Sequence, residues 1–406
     1  MRRGTPTLVF MRREWRFLLF GALVMFWTSP GQTYLISLFG DEMRREFGLS
    51  HGELGSLYTA ATLVSAAILW PAGRLVDRLR LAKFVWWVCV AMALGAAAFS
   101  LVSGPVTLFL GILTVRFLGQ GMMSHIAVTA MARRYDAERG RAIAIAGFGF
   151  PIAEGLLPPL ITIGVTMTDW RNIWIIMGIA VAVTLLPAIP FLLKRTAGQD
   201  GRGPDALAGH DRNQRQWTRN EMLRDRRFFM VAPLIMTMSA LFTGVIFHQK
   251  FIIGTAKEWD FIWWSFCFMG FAVCQVGGSF AAGWLVDRVS ARRITPYVLL
   301  PFAVSMALLG YGDNPLWALV ILATMGLSAG ATNPAFSSLW AEMYGTRHLG
   351  AIRAAGAVLS VFASALGPVA IGWALDAQVS IPMITTLCVA ITLTTSCLAA
   401  AGLRSR

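Results

Sequence analysis

Two charged residues stand alone inside long apolar runs, and both have chemistry to offer there. Glu154 lies about halfway along the run 141–166. A lone carboxylate at that depth costs at least ~2.5 kcal/mol, and such acids mark proton or ion pathways. A buried carboxyl can also exchange a proton near neutral pH. Glu154 is therefore the candidate proton-coupling group. Arg116 lies in the run 106–131 and is the candidate for gripping an anion. Helical rise puts the two at depths differing by only about 3 Å, so they could pair. A proton or a substrate anion would then compete for the partner. The competing reading is a static ion pair.

Polar residues near these runs extend the candidate site. Gln32 and Tyr34 follow Pro30-Gly31, which should break or kink its helix and free backbone groups toward a cavity. Asn333-Pro334 repeats that pattern later in the chain. His248, beside Gln249 and Lys250, could attract anions at a span end, and imidazole titrates near neutral pH. His125 lies nine residues from Arg116, on the opposite side of an ideal helix. Interhelical hydrogen bonding is the alternative for each.

The elements that must position these residues are membrane helices. The chain has 406 residues, 56% hydrophobic and only 14% charged, against about 25% charged in a soluble domain. Twelve apolar spans are expected, near 16–39, 54–73, 83–103, 106–131, 141–166, 171–193, 228–252, 260–284, 294–312, 315–340, 351–374 and 382–403. The fold class is all-α membrane protein. Residues 1–193 form an N-terminal six-helix bundle, 194–227 a polar cytoplasmic linker, and 228–406 a C-terminal six-helix bundle.

Charge sets the orientation. With the N-terminus inside, 29 Lys and Arg fall on the cytoplasmic side and 5 on the other. That asymmetry puts both termini and the linker in the cytoplasm. It also accounts for the net charge of +14 without nucleic acid. The expected location is a bacterial inner membrane. The basic N-terminus leads into a full-length apolar segment with no small-residue cleavage site.

Enzyme chemistry finds no support. No HExxH or P-loop occurs, and the five cysteines lie in apolar segments without metal-ligand spacing. No cofactor or metal is expected.

The halves repeat one another. Gly73-Arg-Leu-Val-Asp77-Arg78 recurs as Gly283-Trp-Leu-Val-Asp287-Arg288, 210 residues on. At an offset of 209, Gly121 pairs with Gly330, Tyr135 with Tyr344 and Pro159 with Pro368. Arg116 and Glu154 fall opposite Met325 and Ala363, so the repeat does not itself require the charges. Such repeats belong to alternating-access transporters, with the substrate site between the halves.

The two G-x-L-V-D-R-type loops resemble motif A of the major facilitator superfamily, and Arg116-Phe-Leu-Gly-Gln-Gly121 resembles its motif B. Gly31-Gln-Thr-Tyr34, Phe247-His-Gln249 and Arg347-His-Leu-Gly-Ala-Ile-Arg353 are similar to its monocarboxylate and oxalate/formate branch. The resemblance implies a monomeric secondary transporter whose central spans 1, 4, 7 and 10 present Gln32, Tyr34, Arg116, His248 and Asn333 to a small solute. It also implies gating contacts: Asp77 and Arg78 with the start of span 11 near Arg353, and Asp287 and Arg288 with Arg139 and Arg141. The expected function is secondary active transport of a small organic solute, an organic anion such as a carboxylate, by alternating access coupled to protons.

Two departures qualify this. Span 8 lacks the arginine with which that branch grips its carboxylate. Gly147-Phe-Gly-Phe-Pro151, with Gly155 and Pro158-Pro159, is similar to motif C of drug/proton antiporters. A drug or metabolite antiporter is thus the alternative, and a transporter-like solute sensor a minor one.

Overall fold

A computed structural model of the chain describes residues 7–73, 79–135, 138–194 and 216–404. No strand occurs among them. Among the described residues, eleven helices are long and apolar enough to cross a membrane. With the helix that precedes them they are α1 Thr7–Phe26, α2 His51–Ala72, α3 Leu81–Phe99, α4 Pro105–Arg134, α5 Arg139–Met167, α6 Trp170–Leu193, α7 Arg226–Phe247, α8 Phe261–Val289, α9 Ala291–Tyr311, α10 Trp317–Tyr344, α11 Leu349–Asp376 and α12 Ile381–Arg404.

Short polar residues start several of these helices. Asp169, Asp225 and Asp260 each accept a backbone N–H two residues on, at 2.8, 3.0 and 2.8 Å, and so cap α6, α7 and α8. Each satisfies a donor that a helix start leaves without an intrahelical acceptor.

The span expected at 16–39 is not one helix. α1 stops at Phe26, a tight turn covers Ser29–Gly31, and short turns lead to the polar helix Gly40–Phe47. Pro30 lacks the N–H needed to continue the ladder. The expected parallel at Asn333-Pro334 differs, because α10 runs on through Pro334. In α4 the residues Arg116–Met123 are wound as π-helix. The even angular spacing assumed between Arg116 and His125 therefore does not hold.

The stretch 194–227 is not all solvated linker either. Thr218 and Glu221 form a capping box on a short helix. Just before it, Trp217 donates its backbone N–H to Tyr344 O at 2.9 Å, and Gln216 Oε1 accepts from Arg347 N at 2.9 Å.

The chain divides into two compact units, Met1–Glu42 with Ala60–Ala206, and Met43–Thr59 with Leu207–Arg406. Both are held by backbone-on-backbone packing at small residues, the usual device for close helices in lipid. In the first unit α5 meets α1 where a Cβ on Gly149 would strike the Ala22 carbonyl. There α3 meets α6 through Phe99 and Trp174, stacked at 4.1 Å. In the second unit α7 and α11 touch at Gly244 and Gly367, and α8 and α10 at Gly278, Gly326 and Gly330.

Where α4 ends, Glu14 accepts from Arg134 at 3.0 Å and from the Tyr135 hydroxyl at 3.1 Å. Burial raises the Glu14 pKa, but the hydrogen bonds from Arg134 and Tyr135 outweigh it and leave the carboxyl below its ordinary value. At the repeat-related end of α10, Tyr344 carries Trp217 edge-on at 5.5 Å.

Candidate functional site

The site in the first unit is built on the interruption after α1. Ser29 and Thr28 turn their hydroxyls back to the carbonyls of Phe26 and Met25. Gly31 and Gln32 close tight turns onto Thr28 O and Ser29 O, at 3.1 and 2.8 Å. This irregular backbone is buried, with Ser29, Pro30, Gly31 and Gln32 all enclosed.

It is seated on the π segment of α4. A Cβ on Gly31 would lie 2.8 Å from Gln120 N, and one on Gly119 would lie 2.7 Å from Thr28 O. Arg116, only 1% exposed, opens that segment and donates from Nη1 to the Gly31 carbonyl at 3.3 Å. The guanidinium is thus brought to the backbone that the break set free.

Tyr34 joins α5 to this arrangement. Its hydroxyl donates to Ser29 Oγ at 2.7 Å, and its ring meets Phe150 edge-on at 6.2 Å. Glu154 follows Phe150 by four residues, on the same helix face, and is 3% exposed. Gln32, Tyr34 and Arg116 therefore belong to one buried polar cluster around residues 29–34, and Glu154 lies one turn from the Phe150 ring that packs on it. Such a cluster can hold a charged or hydrogen-bonding solute and a proton.

The remaining expected residues lie elsewhere. His248 is in the second unit, where its Nε2 donates to Pro368 O at 2.8 Å and its ring faces His51 at 5.5 Å. Asn333 is also there. Its Oδ1 accepts from Ser337 Oγ at 3.1 Å, and Ser337 Oγ accepts from Arg353 Nη2 at 2.8 Å. A binding candidate and a gating candidate are thus linked through one serine.

Arg288 stacks over Trp284 at 4.1 Å, and neighbouring Asp287 is exposed. Arg139 Nε donates to Ala132 O at 3.1 Å, and Arg141 is half-buried. Asp77 and Arg78 lie outside the described residues. His125 is exposed, with Nε2 3.4 Å from where a Gly73 Cβ would stand.

Sequence reasoning missed one polar cluster. At the start of α2, Ser50 and Glu53 form a reciprocal cap, Ser50 N to Glu53 Oε2 at 2.8 Å and Glu53 N to Ser50 Oγ at 3.1 Å. Asp376, the last residue of α11, accepts from His51 N, Gly52 N and Ser50 Oγ at 2.9, 2.8 and 2.7 Å. The S-x-x-E spacing signals the cap in sequence. Nothing in the sequence links it to an aspartate more than 320 residues away.

The sequence profile of the Major Facilitator Superfamily matches residues 18–402. The chain belongs to this superfamily. It is an integral, multi-pass membrane protein with the superfamily's all-helical transporter fold. Two solved members show the same fold. One is the nucleoside transporter NupG, with a TM-score of 0.70, 13% identity, and 96% of this chain and 100% of that one covered. The other is a bacterial homolog of the human lysosomal transporter Spinster, in an inward-facing and unoccupied conformation, with a TM-score of 0.66, 14% identity, and 98% and 95% covered. No curated protein matches the chain.

Proposed function

We propose that the protein is a secondary active transporter that moves a small organic anion, such as a carboxylate, by alternating access coupled to protons. The observation that carries this is the buried polar cluster. Arg116 and Glu154 are both enclosed; Arg116 donates to the interrupted backbone at Gly31, and Glu154 lies one turn from Phe150, which packs on Tyr34. Nothing in the repeat demands either charge, since Met325 and Ala363 hold the related positions. In this reading Arg116 attracts the anion, Tyr34 and Gln32 orient it, and Glu154 carries the proton. The charge count puts both termini in the cytoplasm.

A second reading has one observation in its favour. Phe150 packs on Tyr34 directly beside Glu154, and an acid with aromatic walls suits a lipophilic cation. That solute would be exported in exchange for protons.

Ligand-induced thermal stabilisation of the purified protein separates the two, because a ligand of the folded state raises its melting temperature. The panel is carboxylates, nucleosides and lipophilic cations. Carboxylates should stabilise the wild type, and Arg116→Gln should abolish the shift. Stabilisation by lipophilic cations alone, lost in Glu154→Gln, replaces the anion reading with the exporter.

A further inference from the structure

In the first unit, the start of α1 and the end of α6 carry cations that no acid balances. The two helices contain one acid between them, Glu14. Glu14 is turned to Arg134 and Tyr135, and from its own turn it takes only Arg13, at 3.1 Å. Among the described residues Arg12 and Arg16 have no hydrogen-bond or carboxylate partner, and neither has Lys194 at the end of α6.

Arg16 is held in place all the same. Its Cζ lies 5.4 Å from the Trp15 ring centre and 5.1 Å from that of Phe191, so the guanidinium ties α1 to α6. Rings occupy the faces of a guanidinium and leave its N–H groups, which lie in its plane, to donate at the edge. Trp15 and Phe191 are 46% and 56% exposed, so both rings open outward. Arg12 lies one turn before Arg16, and like charges at that spacing repel unless an anion sits between them.

Other basic helix ends are neutralised within the chain. At the start of α7, Arg227 also lies over a ring, Trp217 at 5.8 Å, but its Nε donates to Asp225 at 3.1 Å. At the start of α9, Arg292 donates to the Glu342 carbonyl at 3.0 Å. The cytoplasmic excess of Lys and Arg accounts for cations at all of these ends. It does not account for a guanidinium fixed between two open rings with its donors unfilled.

The ligand that suits this surface is an anionic phosphodiester carrying hydrocarbon chains. Guanidinium forks donate in pairs to phosphate oxygens, and exposed aromatics sit at headgroup level. We propose that the start of α1 and the end of α6 bind the headgroup of an anionic phospholipid, with Arg12 and Arg16 on its phosphodiester, Lys194 at the rim, and Trp15 and Phe191 against the chains. By the charge count this is the cytoplasmic leaflet, whose surface is negative.

The test is a lipid titration of the purified, delipidated full-length protein in dodecyl maltoside. Tryptophan-fluorescence melting reads it, because a ligand of the folded state raises the melting temperature. Phosphatidylglycerol is compared with phosphatidylcholine of the same chains and with inorganic phosphate, and phosphatidylglycerol alone should stabilise the wild type. Each cation at a lipid surface is worth about a fivefold change in affinity, so Arg12→Gln/Arg16→Gln should raise the half-saturating lipid concentration about twentyfold or more. Arg219→Gln/Arg224→Gln removes the same charge from exposed residues of the second unit and should leave that midpoint in place. Arg16→Lys keeps the charge, loses the flat fork and should weaken binding as well.

Each shift is measured from the variant's own lipid-free melting temperature, so lost stability does not pass for lost binding. Equal stabilisation by phosphatidylcholine overturns the proposal, and so does an unmoved midpoint in Arg12→Gln/Arg16→Gln. An equal rise in Arg219→Gln/Arg224→Gln reduces the effect to net charge and overturns the site. Stabilisation by inorganic phosphate as strong as that by phosphatidylglycerol overturns the lipid as its occupant. If the double variant does not fold, Arg12→Gln alone, at an exposed residue, carries the test with an expected rise of about fivefold.

Discussion

Gly330 in α10 offers a sharp test of the packing. A Cβ there would lie 2.7 Å from the Gln275 carbonyl carbon and 2.9 Å from Ser279 N, and closer still to the Gln275 oxygen. All three are backbone atoms of α8, so no side chain can swing away. Gly330→Ala must therefore push the two helices apart by about 1 Å, which forfeits up to half of the dispersion energy of the atoms facing that gap. The Gly326–Phe271 and Gly278–Leu327 approaches on the same face would open with it. With overpacking in a rigid core costing roughly 1–3 kcal/mol at a typical site, the loss should be at least about 3 kcal/mol here. Gly277→Ala on α8 is the control, because a Cβ there meets nothing within 4 Å. It should be neutral or stabilise by about 0.5–1 kcal/mol through helix propensity. Tryptophan-fluorescence melting of both variants in one detergent reads the difference. Equal melting temperatures for Gly330→Ala and wild type would refute the backbone-contact argument.

Three further outcomes are expected. Glu14 has a folded-state pKa below its ordinary 4.5, so its clamp on Arg134 and Tyr135 stabilises above that pH and is lost as pH falls through the lowered value. Glu14→Gln should therefore melt below wild type at pH 7, and the gap should close on acidification below pH 4.5; a gap that persists in acid contradicts this. The buried Trp264 indole N–H donates to Gln249 Oε1 at 2.8 Å, so Gln249→Leu should cost about 1–3 kcal/mol in a denaturant titration. Adding Trp264→Phe to that variant should cost less than on the wild-type background, and strict additivity would count against the bond. Trp217→Ala should raise proteolysis of the 216–225 stretch while leaving α8 protected, because that ring and its backbone N–H dock the stretch on Tyr344.

Much of this fold is legible in the sequence, because apolar run length acts locally along each span. The interruption after Phe26 follows from Pro30-Gly31, and the paired glycines at an offset of 209 mark the repeat. Arg116 and Glu154 are conspicuous for the same local reason, as charges in apolar runs. The π winding at Arg116–Met123 is not legible, since wide and ordinary turns share one composition. Pro334 misled by analogy: an isolated proline can stay within a helix when its neighbours satisfy the freed carbonyl. The Asp376 cap escapes for a different reason. A carboxylate at a span end looks like any solvated acid until tertiary packing brings a helix start to it.

The uneven charge of the two repeats has a consequence for how such a chain can change over generations. Met325 and Ala363 are 0% and 2% exposed, as enclosed as Arg116 at 1% and Glu154 at 3%. Duplication therefore handed both copies the same enclosed positions, and only one copy holds ionisable groups there. The second copy is relieved of charge desolvation, and substitutions at its two positions are judged on volume alone. The first copy bears the desolvation of a charge at each position. Substitutions at 116 and 154 are thus judged on charge as well as volume, while 325 and 363 drift among apolar residues of matching size.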